Sequence, residues 1–258
     1  YYNLDSTFVP TSNFFDLRAW DYIHFSEPYE QYVIYNNGAE KWTREQKVDY
    51  YCNINDEITI ATGNRKLGSQ VCGLSMPNVI TCRPDAPCRV GCYCNKGPQA
   101  FANIYGTYCK NLRLYHELGN EFFDKWSAYF KFSGYRYCRI FDSGDIPDYD
   151  FFLGIIKVCK DNPKVKFLMY TKKYNIVNSY LTNNNELPKN LKVYFSAWDK
   201  DWIIDNPFNI QIAYIDFDDK TRNPEIPTDA FCCQDGTGCC STCYKCWHTT
   251  KDVVFRQH

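Results

Sequence analysis

The stretch Arg136–Lys172, RYCRIFDSGDIPDYDFFLGIIKVCKDNPKVKFLMYTK, decides the fold. Arg136–Asp142 reads as a strand that ends in Asp142-Ser143-Gly144-Asp145. Tyr149–Lys160 reads as a helix, because Phe151, Phe152, Ile155, Ile156 and Cys159 recur on one stripe. Val165–Thr171 is the next strand and ends in Thr171-Lys172. A strand, a helix and a strand of these lengths imply parallel pairing through a right-handed crossover. Working outward, Tyr174–Leu181 is expected as a helix, with Leu191–Ser196 and Asn209–Asp216 as strands. On the other side, Phe122, Phe123, Trp126, Tyr129 and Phe130 give Asn120–Phe132 a helical period.

The expected fold class is α/β, either an open parallel sheet or a partial (half) parallel β/α barrel. Such folds carry their chemistry at the C-terminal ends of the strands. Polar residues accumulate there: Asp142, Asp145, Thr171, Lys172, Ser196 and Asp216. Asp142, Asp145 and Lys172 are the candidate catalytic groups, since a carboxylate can move a proton and a lysine can hold an anion. Ser143, Gly144, Thr171 and Ser196 are candidates for cofactor binding at the same ends. Either aspartate could instead cap the helix that follows.

Residues 1–57 read as an irregular, β-rich aromatic extension packed on the core, and residues 58–258 as a cysteine-rich α/β domain. Within the extension, Asp16–Trp20 is expected to start a short helix. Tyr32–Tyr35 followed by Asn36-Asn37-Gly38 is expected as a strand and turn. Glu57–Ile60 is expected as a short strand closed by Gly63-Asn64. Residues 81–98 are loop-like, with Pro84, Pro87, Gly91 and Gly97, and residues 218–240 form a second Pro/Gly-rich loop. Asp252–Phe255 is the last strand. Tyr1 is no initiator methionine, so a processed or incomplete chain is expected.

The chain has 258 residues, of which 45% are hydrophobic, enough for one large domain or a domain with an appendage. Its net charge of −1 offers no basic face, which argues against sequence-independent nucleic-acid binding. No apolar run approaches the roughly 18 residues of a membrane helix.

Fifteen cysteines are unusual at this length. Ten of them fall in two windows, Cys82-x5-Cys88-x3-Cys92-x-Cys94 and Cys232-Cys233-x5-Cys239-Cys240-x2-Cys243-x2-Cys246. A disulfide framework spreads its cysteines along loops and uses an even number. Clustering and the odd count favour metal. Cys240, Cys243 and Cys246 can turn inward around one corner of a cuboidal iron–sulfur cluster, with Cys233 as the natural fourth thiolate. Cys232 and Cys239 are additional or alternative ligands. The upstream cysteines could complete a shared site, holding two 4Fe–4S clusters or one larger, unusual cluster. Structural zinc is the alternative, with Cys240 and Cys243 as one pair of ligands and the upstream loop supplying the other. His248 and His258 could ligate metal. His24 and His116 read as surface or structural, and Cys52, Cys72, Cys109, Cys138 and Cys159 read as core.

The upstream spacing resembles the Cys-x3-Cys-x2-Cys loop of radical S-adenosylmethionine enzymes and departs from it by one residue. A wider resemblance runs from about residue 58 to 258. It rests on Gly63-Asn64-Arg65-Lys66-Leu67-Gly68, Thr81-Cys82 to Cys88, Cys92-Tyr93, Arg139-x2-Asp142-Ser143-Gly144-Asp145 and Tyr170-Thr171-Lys172. It continues through Leu187-Pro188-Lys189-Asn190, Cys240-x2-Cys243-x2-Cys246-Trp247 and Val253-Val254-Phe255-x2-His258. In this order the motifs resemble the phage gene product 88 family, and some look like those of phage proteins related to the radical S-adenosylmethionine barrel. The resemblance implies a phage protein of the host cytoplasm with a partial barrel and a cysteine-bound metal centre. That centre would be an iron–sulfur cluster lying beside Asp142, Asp145, Lys172 and His258. Redox or radical-type chemistry on a small molecule would follow, with a host electron donor and S-adenosylmethionine as a cofactor. A zinc-stapled module binding a host protein or nucleic acid is the non-enzymatic alternative. Cys94 stands where the family pattern has a small residue, and the doublets Cys232-Cys233 and Cys239-Cys240 exceed what one cubane requires. Both departures imply more metal than usual, or an unusual cluster.

Overall fold

The computed structural model describes residues 43–64, 66–89, 91–198, 204–216, 226–233 and 238–256. The readings at Asp16–Trp20, His24, Tyr32–Gly38 and His258 lie outside the described residues. Helix α1 (Arg44–Asn53) opens on a capping box, in which Thr43 and Gln46 satisfy each other's backbone N–H groups. Such a cap stabilises a helix start by about 1 kcal/mol. Only Val48 and Cys52 give this helix apolar anchors, too few for a helical period to show. They pack against Tyr105 and Cys109.

The Glu57–Ile60 strand does not form. Ala61 alone makes an antiparallel bridge, to Gly73. The buried Asn111 side chain takes both the N–H and the C=O of Thr59, at 2.8 and 2.9 Å. A side-chain amide thus replaces the partner strand. Ile58 and Ile60 still pack on the main core.

Strand β1 (Val71–Leu74) follows, then the single turn α2 (Asn78–Thr81) and three 3-10 turns at Pro87–Arg89, Tyr93–Asn95 and Gly97–Ala100. The chain continues through α3 (Ala102–Leu118), α4 (Asn120–Ser133), β2 (Tyr137–Ile140), α5 (Tyr149–Asp161), β3 (Lys166–Thr171), α6 (Tyr174–Asn184), β4 (Leu191–Ser196) and β5 (Ile212–Asp216). It ends with β6 (Phe231–Cys232), the single turns α7 (Cys240–Cys243) and α8 (Lys245–His248), and β7 (Val253–Arg256). The seven strands form one all-parallel sheet in the order β1-β2-β3-β4-β5-β7-β6. It is open, with β1 and β6 as its edges.

Side chains alternate across a strand, so each strand feeds two faces. One face presents Cys72, Leu74, Cys138, Ile140, Phe167, Met169, Val193 and Phe195 to helices α3–α6 and makes the large core. The other face presents Val71, Leu168, Tyr194, Ala213 and Val253, which pack against Leu67 and Trp247 with Cys240, Tyr244 and Cys246. The strand order explains this division. From β1 to β4 each strand is laid beside its predecessor in one direction, so right-handed crossovers keep their helices on one face. The step from β6 to β7 runs backwards, since β7 sits between β6 and β5. A right-handed crossover in that direction must pass over the opposite face. The segment that makes this step is the C-terminal cysteine segment.

The Leu187–Asn190 turn fixes where β4 begins. The Asn190 amide nitrogen lies 2.9, 3.1 and 2.9 Å from the carbonyls of Cys159, Asn162 and Val165. It therefore gathers the end of α5 and the start of β3 onto the turn before β4. Replacing Asn190 by Ala leaves these carbonyls without that donor and is expected to cost about 1–3 kcal/mol. A urea denaturation midpoint, lower for Asn190→Ala than for wild type at unchanged slope, checks it.

Candidate metal centre

Two groups of thiols are built on this sheet. The first lies at its carboxyl edge, where β1, β2 and β3 end. After β2 the chain makes a sharp turn through Phe141, which is buried with φ at 64°. That conformation is strained for an aromatic residue and costs roughly 1–3 kcal/mol. The turn is fastened from β1: Ser75 Oγ accepts the backbone N–H groups of Asp142 and Ser143, each at 3.2 Å. Gly144 has φ at 83°, and a Cβ there would stand 2.5 Å from the Met76 carbonyl oxygen. The need for glycine is therefore met by backbone approach. Asp145 is 5% exposed and acts as a hub. Its Oδ1 accepts from Thr171 Oγ1 at 2.6 Å and from Ile146 N at 2.8 Å, and its Oδ2 accepts from Lys172 N at 2.9 Å. Burial pushes its carboxyl above the usual range, against the pull of these bonds. Ser196 ends β4, where its carbonyl accepts from Tyr174 Oη.

Cys82, Cys88, Cys92 and Cys94 come from the loop between β1 and α3, above this edge. Cys82 follows α2 directly, and the 3-10 turns carry Cys88 and Cys94. Asn78 Nδ2 lies 3.7 Å from Cys92 Sγ, and Cys94 Sγ lies 3.7 Å from the Asp142 carbonyl. Tyr93 Oη donates to the same carbonyl. Burial pushes the Cys82 thiol up, and Asp145, Cys92 and Cys88 add to it while Lys172 opposes. The closeness of Cys92 and Cys94 holds the Cys92 thiol low and, together with burial, pushes the Cys94 thiol up. Lys172 is thus the cation beside this group, and its chain position at the end of β3 delivers it there.

The second group lies on the helix-free face. The Gly63–Gly68 loop receives it. Asn64 Oδ1 accepts from Lys66 N and Leu67 N at 2.9 and 2.8 Å, which closes a side-chain-mediated turn. The carbonyls of Lys66 and Leu67 then accept from Cys240 N and Ser241 N at 2.8 and 3.0 Å. Gly68 permits the contact, since a Cβ there would stand 2.1 Å from Ser241 Oγ. Asn64 Nδ2 donates to Asp142 Oδ2 at 2.6 Å, so this loop ties the cysteine segment to the carboxyl edge. Tyr194 Oη donates to the Cys246 carbonyl at 3.1 Å. Burial raises the thiols of Cys233, Cys240 and Cys246, the last to about 11, and Arg139 opposes the rise in each.

Arg139 stands between the groups. It projects from β2 with its guanidinium 4.9 Å from the Tyr170 ring centroid. Burial pulls its pKa down, but Asp142, Tyr93, Tyr170 and Cys240 outweigh that and hold it above the usual value. Its Nε is buried with no hydrogen-bond partner.

Several expected site residues fall elsewhere. Cys232 lies on β6 beside Val254 and packs with Ile226 and Tyr214 on the side away from the second group. Cys239 Sγ lies 3.1 Å from Ser241 Oγ. Both ring nitrogens of His248 are engaged, Nδ1 with Lys166 Nζ at 3.3 Å and Nε2 with Tyr137 Oη at 3.1 Å. Because lysine only donates, His248 Nδ1 accepts and its Nε2–H points to Tyr137. Cys52, Cys72, Cys109, Cys138 and Cys159 are wholly buried core, as read from the sequence. Ser75, Asn78, Tyr93 and Arg139 escaped the sequence reading as site residues. Arg139 alone carried a signal there, a charged residue inside an otherwise apolar strand. Among the described residues, no three His, Cys, Asp or Glu side chains stand converged on one point as a metal requires.

A model of the family described as Gene product 88 matches residues 52–249. The chain belongs to this family of phage gene products. The Gene product 88 region starts within α1 and ends just after α8, so it takes in both thiol groups and the loop that joins them. No curated protein and no solved structure matches the chain. Among the described residues, no helix is long and apolar enough to cross a membrane.

The Ser75 hydroxyl is the fastener of the Asp142–Asp145 turn. Ser75→Ala leaves two N–H groups without an acceptor and is expected to lower stability by about 1–3 kcal/mol. Hydrogen exchange checks the placement, since the Asp142 and Ser143 amides lose protection before those of β3 and β4 do.

Proposed function

We propose that this phage protein is an iron–sulfur protein of the host cytoplasm that carries out redox or radical-type chemistry on a small molecule. One observation carries the reading: none of the fifteen cysteines is in a disulfide, and eight of them gather in two groups that each have a cation at hand. The donor chemistry fits, because thiolates are the ligands of iron–sulfur clusters. The fit requires the thiols of each group to turn toward one point. A bound cluster would supply electron transfer at a potential set by burial, net charge and hydrogen bonds to its sulfurs. Lys172 beside the first group, and Arg139 and Lys66 beside the second, offset the negative charge that thiolates bring. The unpaired Arg139 Nε is a donor for a sulfur or a small anion. Asp142 and Lys172 border the same edge as candidates for proton transfer and anion binding. The strand order from β1 to β5, with helices on one face, supports reading the sheet as a barrel that has not closed.

Iron, zinc and acid-labile sulfide per chain, measured on protein purified without oxygen, test this reading. Iron and sulfide in equal amounts, with broad brown absorption that bleaches on reduction, are expected. Zinc without sulfide overturns it and favours a zinc-stapled module that binds a host protein.

A further inference from the structure

We propose that the thiols form two separate four-cysteine metal centres. Cys82, Cys88, Cys92 and Cys94 make one at the carboxyl edge. Cys233, Cys240, Cys243 and Cys246 make the other on the helix-free face. Cys232 and Cys239 belong to neither. This division rests on the metal–thiolate reading above and goes beyond it, because a single centre shared by the two cysteine windows would need the same ligand types.

Topology separates the sets. The first set hangs from the connection between β1 and α3, beyond the strand ends. The second rides the backward step from β6 to β7 and lies against the flat of the sheet, where Cys240 and Cys246 pack with Tyr170 and Tyr194. Within each set the thiols lie near one another without converging on one point. Cys82 feels Cys88 and Cys92, and Cys94 feels Cys92 and Cys82. Cys233 feels Cys243 and its chain neighbour Cys232, and it is in turn felt by Cys246 and by Cys240, which also feels its own chain neighbour Cys239. Each set also has its own cation, Lys172 for the first and Arg139 with Lys66 for the second.

Strand pairing settles the doublets. Cys232 is paired with Val254, whose side chain faces away from Val253 and the second set. Cys233 is the next residue and reaches the opposite side, as successive side chains of an extended chain do. Cys239 precedes α7 and lies against Ser241, while Gly68 leaves no room between its own Cα and that sulfur. Arg139 fills the space between the sets, with Asp142 and Tyr93 of the edge on one side and Cys240 of the face on the other. The guanidinium there offsets the negative charge of thiolates on either flank.

The test counts metal and sulfide in the full-length chain purified without oxygen, as wild type and as Cys88→Ser, Cys243→Ser, the double variant, Cys232→Ser and Cys239→Ser. Each of the first two is expected to lose about half of the bound metal, with the remainder keeping its own electron paramagnetic resonance signal, and the double variant to lose nearly all. Cys232→Ser and Cys239→Ser are expected to load like wild type. Circular dichroism of each variant separates loss of a ligand from loss of the fold. A folded Cys88→Ser or Cys243→Ser that loses all of its metal overturns the two-centre assignment and leaves the metal–thiolate reading standing. A wild-type chain with no bound metal overturns both.

Discussion

Right-handed crossover is the constraint on which the arrangement depends. Every parallel connection from β1 to β4 obeys it in one direction, which places α3–α6 on one face of the sheet. β7 then inserts between β5 and β6, and the same handedness sends the β6–β7 connection over the other face. Six residues of the chain's cysteine complement reside in or beside that connection. The described part of this segment, which includes two single helical turns, docks through Trp247 and Tyr244 on Tyr137, Leu168 and Tyr194. Aromatic packing on the sheet thus fixes how the turns that carry Cys240, Cys243 and Cys246 sit.

The two thiol groups are coupled mechanically through a short path. Asn64 turns the Gly63–Gly68 loop, offers its carbonyls to α7 and reaches Asp142 with its amide. Asp142 is in turn held by Ser75 from β1 and flanked by Arg139 from β2. Displacement of the cysteine segment would therefore be felt at the carboxyl edge. The same path explains why loop residues far apart in sequence belong to one constellation.

The middle of the fold was legible because its elements are long and periodic. β4 matches its expected bounds, Leu191–Ser196, and α5 extends one residue past its expected end, to Asp161. β1 leaves little trace in the sequence, because Val71–Leu74 is four residues with a glycine among them, whereas Glu57–Ile60 has a strand's pattern that the Asn111 amide renders unnecessary. α3 was missed because Tyr, Cys, Lys and Asn share its buried positions with Leu, which blurs the apolar stripe. At the site, strand ends pointed to Asp142, Asp145 and Lys172, and spacing pointed to Cys233 as partner of Cys240, Cys243 and Cys246. Spacing favours Cys233 but leaves Cys232 as an alternative, because it carries no information on which face a residue takes; the pairing of β6 with β7 supplies that. Ser75 acts through partners 67 and 68 positions away in the chain, and Arg139 meets Tyr170, Tyr93 and Cys240 at 31, 46 and 101, distances that local pattern does not reach.

Anomalous diffraction at the iron edge, from crystals grown without oxygen, tests the central claim most directly. Iron is predicted on the helix-free face of the sheet, bounded by Cys233, Cys240, Cys243 and Cys246 and next to Arg139 and Tyr170. Iron found only among α3–α6 on the helix face, or no anomalous density beside the cysteine segment, would contradict it.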